Sequence, residues 1–157
     1  MIDAIAGIDI PRNAARERLM PKDTWDWHMP TPFSQGWKIG NLVFVGGQLS
    51  ADAKGNVVGK GDIEVQTRNV FENITKTLAA AGADWSHVVK LNTYYCFDGD
   101  GDEVQENWAK MTNVRMQYLP DPGPCGTAVR VSGLMYDGFL IEAEVIAVIT
   151  DGSNTNA

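Results

Sequence analysis

The residue pattern of this chain predicts an α+β domain, with strands in one layer and two helices on a single face of it. Two observations carry that prediction. Apolar residues alternate with period two from Trp37, from Val88 and from Phe139, and they switch to three- and four-residue spacing after Asp62 and after Glu103. Glycine, proline and asparagine punctuate the joins between these stretches.

Taken in order, residues 1–30 stand apart as an N-terminal extension packing on the body. Asn13 to Met20 reads as a short helix between Pro11 and Pro21. Trp25 and Trp27 follow, a pair expected to clamp the terminus onto the body or onto a neighbouring subunit, with a direct ligand role as the other reading. His28 beside them is read as a packed or surface residue. From residue 31 to 150 the chain is one domain. Trp37 to Ile39 and Leu42 to Val45 flank Gly40-Asn41 as a hairpin. Gly46-Gly47 marks a place where backbone must bend or be approached closely. A polar tip from Asp52 to Gly55 leads to a short Val57-Val58 strand.

Asp62 opens a helix of about five turns, with Ile63, Thr67, Val70, Ile74 and Leu78 on its apolar face and Gly82 as its stop. Val88 to Phe97 is a strand with Val89, Leu91, Thr93, Tyr95 and Phe97 on one side. A second helix runs from about Glu103 to Tyr118, ended by Pro120 and Pro122. The closing stretch, Gly123 to Ile149, holds two β-rich runs, Thr127 to Ser132 and Phe139 to Ile149. Gly133, Asp137 and Gly138 between them predict a hairpin. In the second run Ile141, Ala143, Val145, Ala147 and Ile149 share one face, which must be buried. Glu142 and Glu144 share the other, either a solvated edge or the wall of a polar site. Residues 151–157 form a loose tail.

Composition removes several function classes. The formal charge of −7 and the lack of a basic stripe disfavour a nucleic-acid partner. No run approaches membrane-spanning length, and the N-terminus carries acidic residues with no basic region before its apolar run, so no signal peptide is expected. Two cysteines, Cys96 and Cys125, make no disulfide framework and suit a reducing, cytoplasmic setting. Asp98-Gly99-Asp100-Gly101-Asp102 opens like a calcium loop, but Glu103 stands where the turn needs glycine and Ala109 where a bidentate carboxylate is needed. It reads as a solvated acidic cap on the second helix. Hydrolase-elbow, phosphate-loop and zinc signatures are absent, and two distant histidines with two cysteines are too few ligands for a structural zinc site, so no metal is expected. Cys125, between Pro124 and Gly126, is either a small packed residue or a thiolate nucleophile.

What remains is Glu142, Gly46-Gly47 and the Pro32-Phe33-Ser34-Gln35 segment. PFSQGWKIGNLVFVGGQLS, GDIEVQTRNVFENITKTLAAAGADWSHVVKLNTYY and GPCGTAV with LIEAEVIAVI, in that order over about residues 32–149, resemble the Rid family, also called YjgF. The resemblance implies a chorismate-mutase-like α+β fold, a homotrimer with a central barrel, and a ligand cleft at each subunit interface. It further implies hydrolysis of enamines or imines to ketoacids and ammonia, without a cofactor. On that pattern Glu142 matches the glutamate that positions water. Gly46 and Gly47 match a Ser-Gly wall, with Gly46 in place of the serine, and Phe33 falls where a tyrosine often stands.

The chain departs from the pattern at Gly126, where the carboxylate-binding arginine is expected. A small α-imino acid thereby loses a charge-assisted contact. Arg130 shares the strand face but begins about 13 Å away, beyond the about 6–7 Å reach of an extended arginine at roughly 3.3 Å per residue. It could instead hold the far end of a longer anion, with Gly126 leaving room. The expected function is therefore hydrolysis of a C=N or enamine small molecule bulkier than 2-aminoacrylate. Glu142 would be catalytic, and Phe33, Gly46, Gly47, Cys125, Gly126 and Arg130 would bind substrate. The alternative is a trimer that binds a small molecule or a partner without catalysis. Ribonuclease activity, also attached to the family, is disfavoured by the net charge.

Overall fold

The protein is described by a computed structural model covering residues 14–27, 29–97 and 99–150. Six strands form one sheet in the order β1-β2-β3-β6-β4-β5. They are β1 (Arg16–Leu19), β2 (Gly36–Ile39), β3 (Leu42–Leu49), β4 (Val88–Tyr95), β5 (Cys125–Arg130) and β6 (Ile141–Val148). Helices α1 (Ile63–Ala80) and α2 (Gly101–Arg115) complete it. α1 lies against β3 and β6, and α2 packs on α1, so one sheet face is covered and the other is left bare.

The strongest local signals hold. Asp62 caps α1 by accepting from the Glu64 and Val65 amides. Gly82 follows the last turn at φ +74°, where an L side chain would be strained. Ile63, Thr67, Val70, Ile74 and Leu78 are all buried. Ile63, Val70, Ile74 and Leu78 meet Val43, Val45, Leu91, Ile141, Ala143 and Val145 from the sheet in one core. Each large aliphatic side chain so buried contributes about 1.5–3 kcal/mol. The β2–β3 hairpin turns at Gly40-Asn41, with Gly40 at φ +60°.

Several expectations are corrected. The segment expected as a helix from Asn13 to Met20 is, over Arg16–Leu19, an edge strand antiparallel to β2 (Asn13 itself lies outside the described residues). The short helix expected between two prolines lost to pairing with a ready sheet edge, where Arg16 stacks 5.0 Å over the Trp37 ring and Arg18 bonds Ser34 Oγ. The two closing runs form no hairpin. β4 lies between them, parallel to β5 and antiparallel to β6. The α2 crossover brings β5 beside β4, and the long loop after it carries the chain over to the other side of β4. Val57-Val58 gives a single bridge, Ala51 to Val57, in place of a strand. Val89 is exposed because the register shifts between Val88 and Lys90. β4 also stops at Tyr95, short of Phe97. α2 begins two residues early and ends at Arg115, three residues short of Tyr118. His28, Asp98 and residues 151–157, on which readings were also made, lie outside the described residues.

Candidate functional site

The bare face of the sheet is built by alternation. On β6, Ile141, Ala143, Val145 and Ala147 are buried under the helices, and Glu142, Glu144, Ile146 and Val148 point the other way. β3 flanks β6 on one side and β4 on the other, with Leu49 and Tyr94 opposite Glu142 and Asn92 opposite Glu144. The β3–β6 register slips between Val45 and Gln48, so Gly46 and Gly47 together oppose Glu144 as a bulge. Gly47 faces the Glu142 carboxylate so closely that a Cβ there would lie 2.0 Å from Oε1. At Gly46 a Cβ would find only ordinary contacts, 3.5 and 3.6 Å from the Ser34 and Gln35 carbonyl oxygens.

A buried polar network sets the glycine bulge. The Gly46 amide donates to the Gln35 carbonyl at 2.9 Å. Gln48 Nε2 donates to Gln35 Oε1 at 2.7 Å, and Trp25 Nε1 donates to Gln48 Oε1 at 3.3 Å. Gln35 Nε2 closes the ring on the Trp25 carbonyl. Trp25 is thereby fastened to the body, and with Leu49, Ala51 and Phe139 it makes a second apolar cluster on which Trp27 and Phe33 pack. The entry to β6 is fixed by Gln66. Its Nε2 donates to the Gly138 carbonyl at 2.7 Å and its Oε1 accepts from the Leu140 amide at 2.8 Å.

Electrostatically the two glutamates differ. Burial pushes the Glu142 carboxyl above its ordinary value, and the Glu144 charge adds to the shift. Among the described residues no donor reaches it. Glu144 Oε1 accepts from Asn92 Nδ2 at 2.9 Å and from the Tyr94 hydroxyl at 3.3 Å. The Tyr94 phenol is raised chiefly by the Glu144 charge, then by burial.

An open cleft of about 890 Å³ lies on this face, with Arg18, Phe33, Trp37, Gly46, Asn92 and Glu144 among its walls. Phe33 and Gly46 therefore meet at one cleft, whereas Glu142 stands one same-face step beyond Glu144 and does not line it. Gly126 and Arg130 lie elsewhere. They pair with Leu91 and Tyr95, residues whose side chains face the helices. Arg130 joins Cys96, Phe97 and Ser132 around a smaller hollow of about 310 Å³. Within one chain Glu142 and Arg130 occupy opposite faces of the sheet with β4 between them. Cys125 is exposed at the start of β5, its thiol directed to the Val89 carbonyl at 3.2 Å.

Gly126 does not open space. A Cβ there would lie 1.8 Å from the Leu91 carbonyl oxygen. The two backbones have closed over the volume a side chain would need, which corrects the expectation of a widened pocket.

The match to known proteins decides the family. A family model described as Endoribonuclease L-PSP matches residues 28–149. A RutC family protein of Pyrococcus abyssi is 40% identical over 116 residues, covering 74% of this chain and 85% of that protein.

The chain belongs to the Rid family.

Reactive Intermediate Deaminase A of Arabidopsis thaliana, a chloroplastic protein, is 34% identical to this Rid protein over 118 residues, 75% of this chain and 59% of that one. The crystal structure of RidA from Psychrobacter sp. PAMC 21119 superposes with a TM-score of 0.71 at 28% identity, covering 85% of this chain and 99% of that one. The α+β fold, a mixed sheet with two helices on one face, is thus that of the family. The sequence pointed to Glu142, the glycine pair and the segment ending in Gln35 of this Rid protein, but not to Asn92, Tyr94, Gln48 or Gln66, which stand beside them in the fold. Asn92 and Tyr94 do alternate with Leu91 and Thr93 on β4. Their relation to β6 was hidden by the expected hairpin.

Proposed function

We propose that this Rid protein is a hydrolase of imines or enamines, with Glu142 as the general base. The observation that supports it most is the Glu142 carboxylate itself. It is half-buried, raised in pKa, without a donor among the described residues, and set against a glycine that leaves its oxygen room. A carboxylate in that state takes a proton from water more readily than a solvated one at neutral pH. In the reaction the water oxygen bonds to the C=N carbon as its proton passes to Glu142. Glu142 hands that proton to nitrogen, then relays the hydroxyl proton to the amine as the C–N bond breaks, so a carbonyl compound and ammonia leave and the carboxylate is restored.

The site needs a second copy of the chain. Glu142 and the β5 residues Cys125, Gly126 and Arg130 cannot meet within one subunit, because they lie on different sides or edges of the sheet. All six residues of β5 are exposed, and the bare face displays Phe44 and Val129. A homotrimer closed over that face would bring β5 of one subunit toward Glu142 of another, with Phe33, Gly46 and Gly47 on the opposite wall. Backbone amides at Gly47 and along β5 would then face charge developing on the substrate. With glycine at residue 126, a small α-imino acid would lack a charge-assisted carboxylate anchor on β5.

The test is a panel of 2-imino acids generated in situ by an amino-acid oxidase, with ammonia and ketoacid followed against a protein-free control. Acceleration of any member supports the hydrolase. Calorimetric binding of panel members with no acceleration supports the other reading, a trimer that binds without chemistry.

A further inference from the structure

Glu144 lies two residues from Glu142 on the same face of β6, and it is held in place by two donors. Asn92, its register partner on β4, donates at 2.9 Å. The second donor is the Tyr94 hydroxyl, although Tyr94 is the register partner of Glu142. The hydroxyl in register with Glu142 is thus spent on its neighbour. On the β3 side Glu142 meets Gly47 and Leu49, which offer no side-chain donor.

We propose that Glu144 is a positioning residue for the reaction: clamped by Asn92 and Tyr94, it draws the Tyr94 hydroxyl away from Glu142 and fixes a negative charge beside it, leaving the Glu142 carboxylate free to accept a proton from water. This rests on Glu142 being the general base. The physical case has two parts. A hydrogen bond donated to a carboxylate stabilises its charged form and weakens it as a base, so diverting Tyr94 preserves basicity. A charge two residues along a strand sits about 7 Å away. That is inside the screening length of about 8 Å at physiological salt, so the repulsion is felt. The charged or titratable groups around the pair are Tyr94 and Lys90 from β4 and Arg18 from β1, the last two lining the cleft with Glu144. β3 contributes none between Gly46 and Leu49.

The experiment titrates the Glu142 carboxyl directly, by NMR of protein labelled with carboxyl-13C glutamate, the signal assigned by its loss in Glu142→Gln. The acid limb of kcat/KM is measured alongside, on whichever imine of the panel is accelerated most. Glu144→Gln removes the charge but keeps an acceptor for Asn92 and Tyr94, and the Glu142 midpoint should fall. Glu144→Ala also releases Tyr94, and the midpoint should fall further. Adding Tyr94→Phe to Glu144→Ala should cancel that extra fall. Tyr94→Phe alone, in which Glu144 is untouched, should not raise the Glu142 midpoint. An unchanged midpoint in Glu144→Gln, or a rise in Tyr94→Phe, overturns the proposal even if Glu142→Gln is inactive. A midpoint that moves without the acid limb following overturns instead the assignment of Glu142 as base.

Discussion

The carboxylate of Glu142 fills the space that any side chain at residue 47 would require, with Oε1 2.0 Å from where a Cβ on Gly47 would stand. The glycine pair thereby acquires two distinct roles. Gly46 belongs to the bulge and its contact with Gln35, and Gly47 is the floor on which Glu142 lies.

Substitution separates those roles. Gly47→Ala should displace the Glu142 carboxylate and lower kcat/KM by about a hundredfold, the effect of an ångström-scale misplacement of a reacting group. Gly46→Ala meets only van der Waals contacts within the chain and, adding one methyl to the cleft wall, should cost far less of kcat/KM than Gly47→Ala. Steady-state rates of the two variants on one imine check the contrast. Equal losses would contradict it.

The raised Glu142 pKa has a stability consequence of definite sign. A carboxyl whose pKa is higher folded than unfolded binds more protons in the native state, so its contribution is complete below the unfolded value. That contribution is lost as pH rises from the ordinary glutamate range through the raised folded value. Glu142→Gln should therefore match wild type in urea at acidic pH and exceed it at neutral pH. Urea midpoints at the two pH values read this out.

At Gly126 the Leu91 carbonyl blocks any Cβ at 1.8 Å. Gly126→Ala should force β4 and β5 apart and cost about 1–3 kcal/mol, as overpacking does. Gly126→Arg should pay at least the same cost, so it should not simply restore a carboxylate-binding group. Chemical denaturation measures the first effect and the substrate panel the second.

Gln66 tests how far from the chemistry the site is held. Gln66→Leu leaves the Gly138 carbonyl and the Leu140 amide without their partner, at about 1–3 kcal/mol for each group left buried and unsatisfied. β6 begins one residue after Leu140. Both the urea midpoint and kcat/KM should fall, whereas a purely structural tie would move only the former.

Local chemistry written within a few residues was legible in the sequence. Asp62 and Gly82 bound α1 as expected, and Gly40-Asn41 turns the β2–β3 hairpin. The alternation that put Glu142 opposite Ile141 and Ala143 also holds. Long-range pairing was not legible. Nothing between Arg130 and Ile141 shows that β4 comes between β5 and β6, because strand order depends on how the α2 crossover packs. The segment from Asn13 to Met20 reads as a short helix between two prolines, and only a neighbouring strand edge makes Arg16–Leu19 a strand. Likewise the glycine at 126 looks like an emptied pocket in one dimension, and only the position of Leu91 shows the space is closed.

The central claim is that the Glu142 carboxylate activates water at a C=N carbon. The most direct measurement compares wild type and Glu142→Gln in ammonia release from an imine generated in situ, both proteins first shown to be folded and equal in oligomeric state. Wild type should outpace the protein-free control while Glu142→Gln runs at the control rate. A Glu142→Gln protein as fast as wild type on every imine that wild type turns over would contradict it.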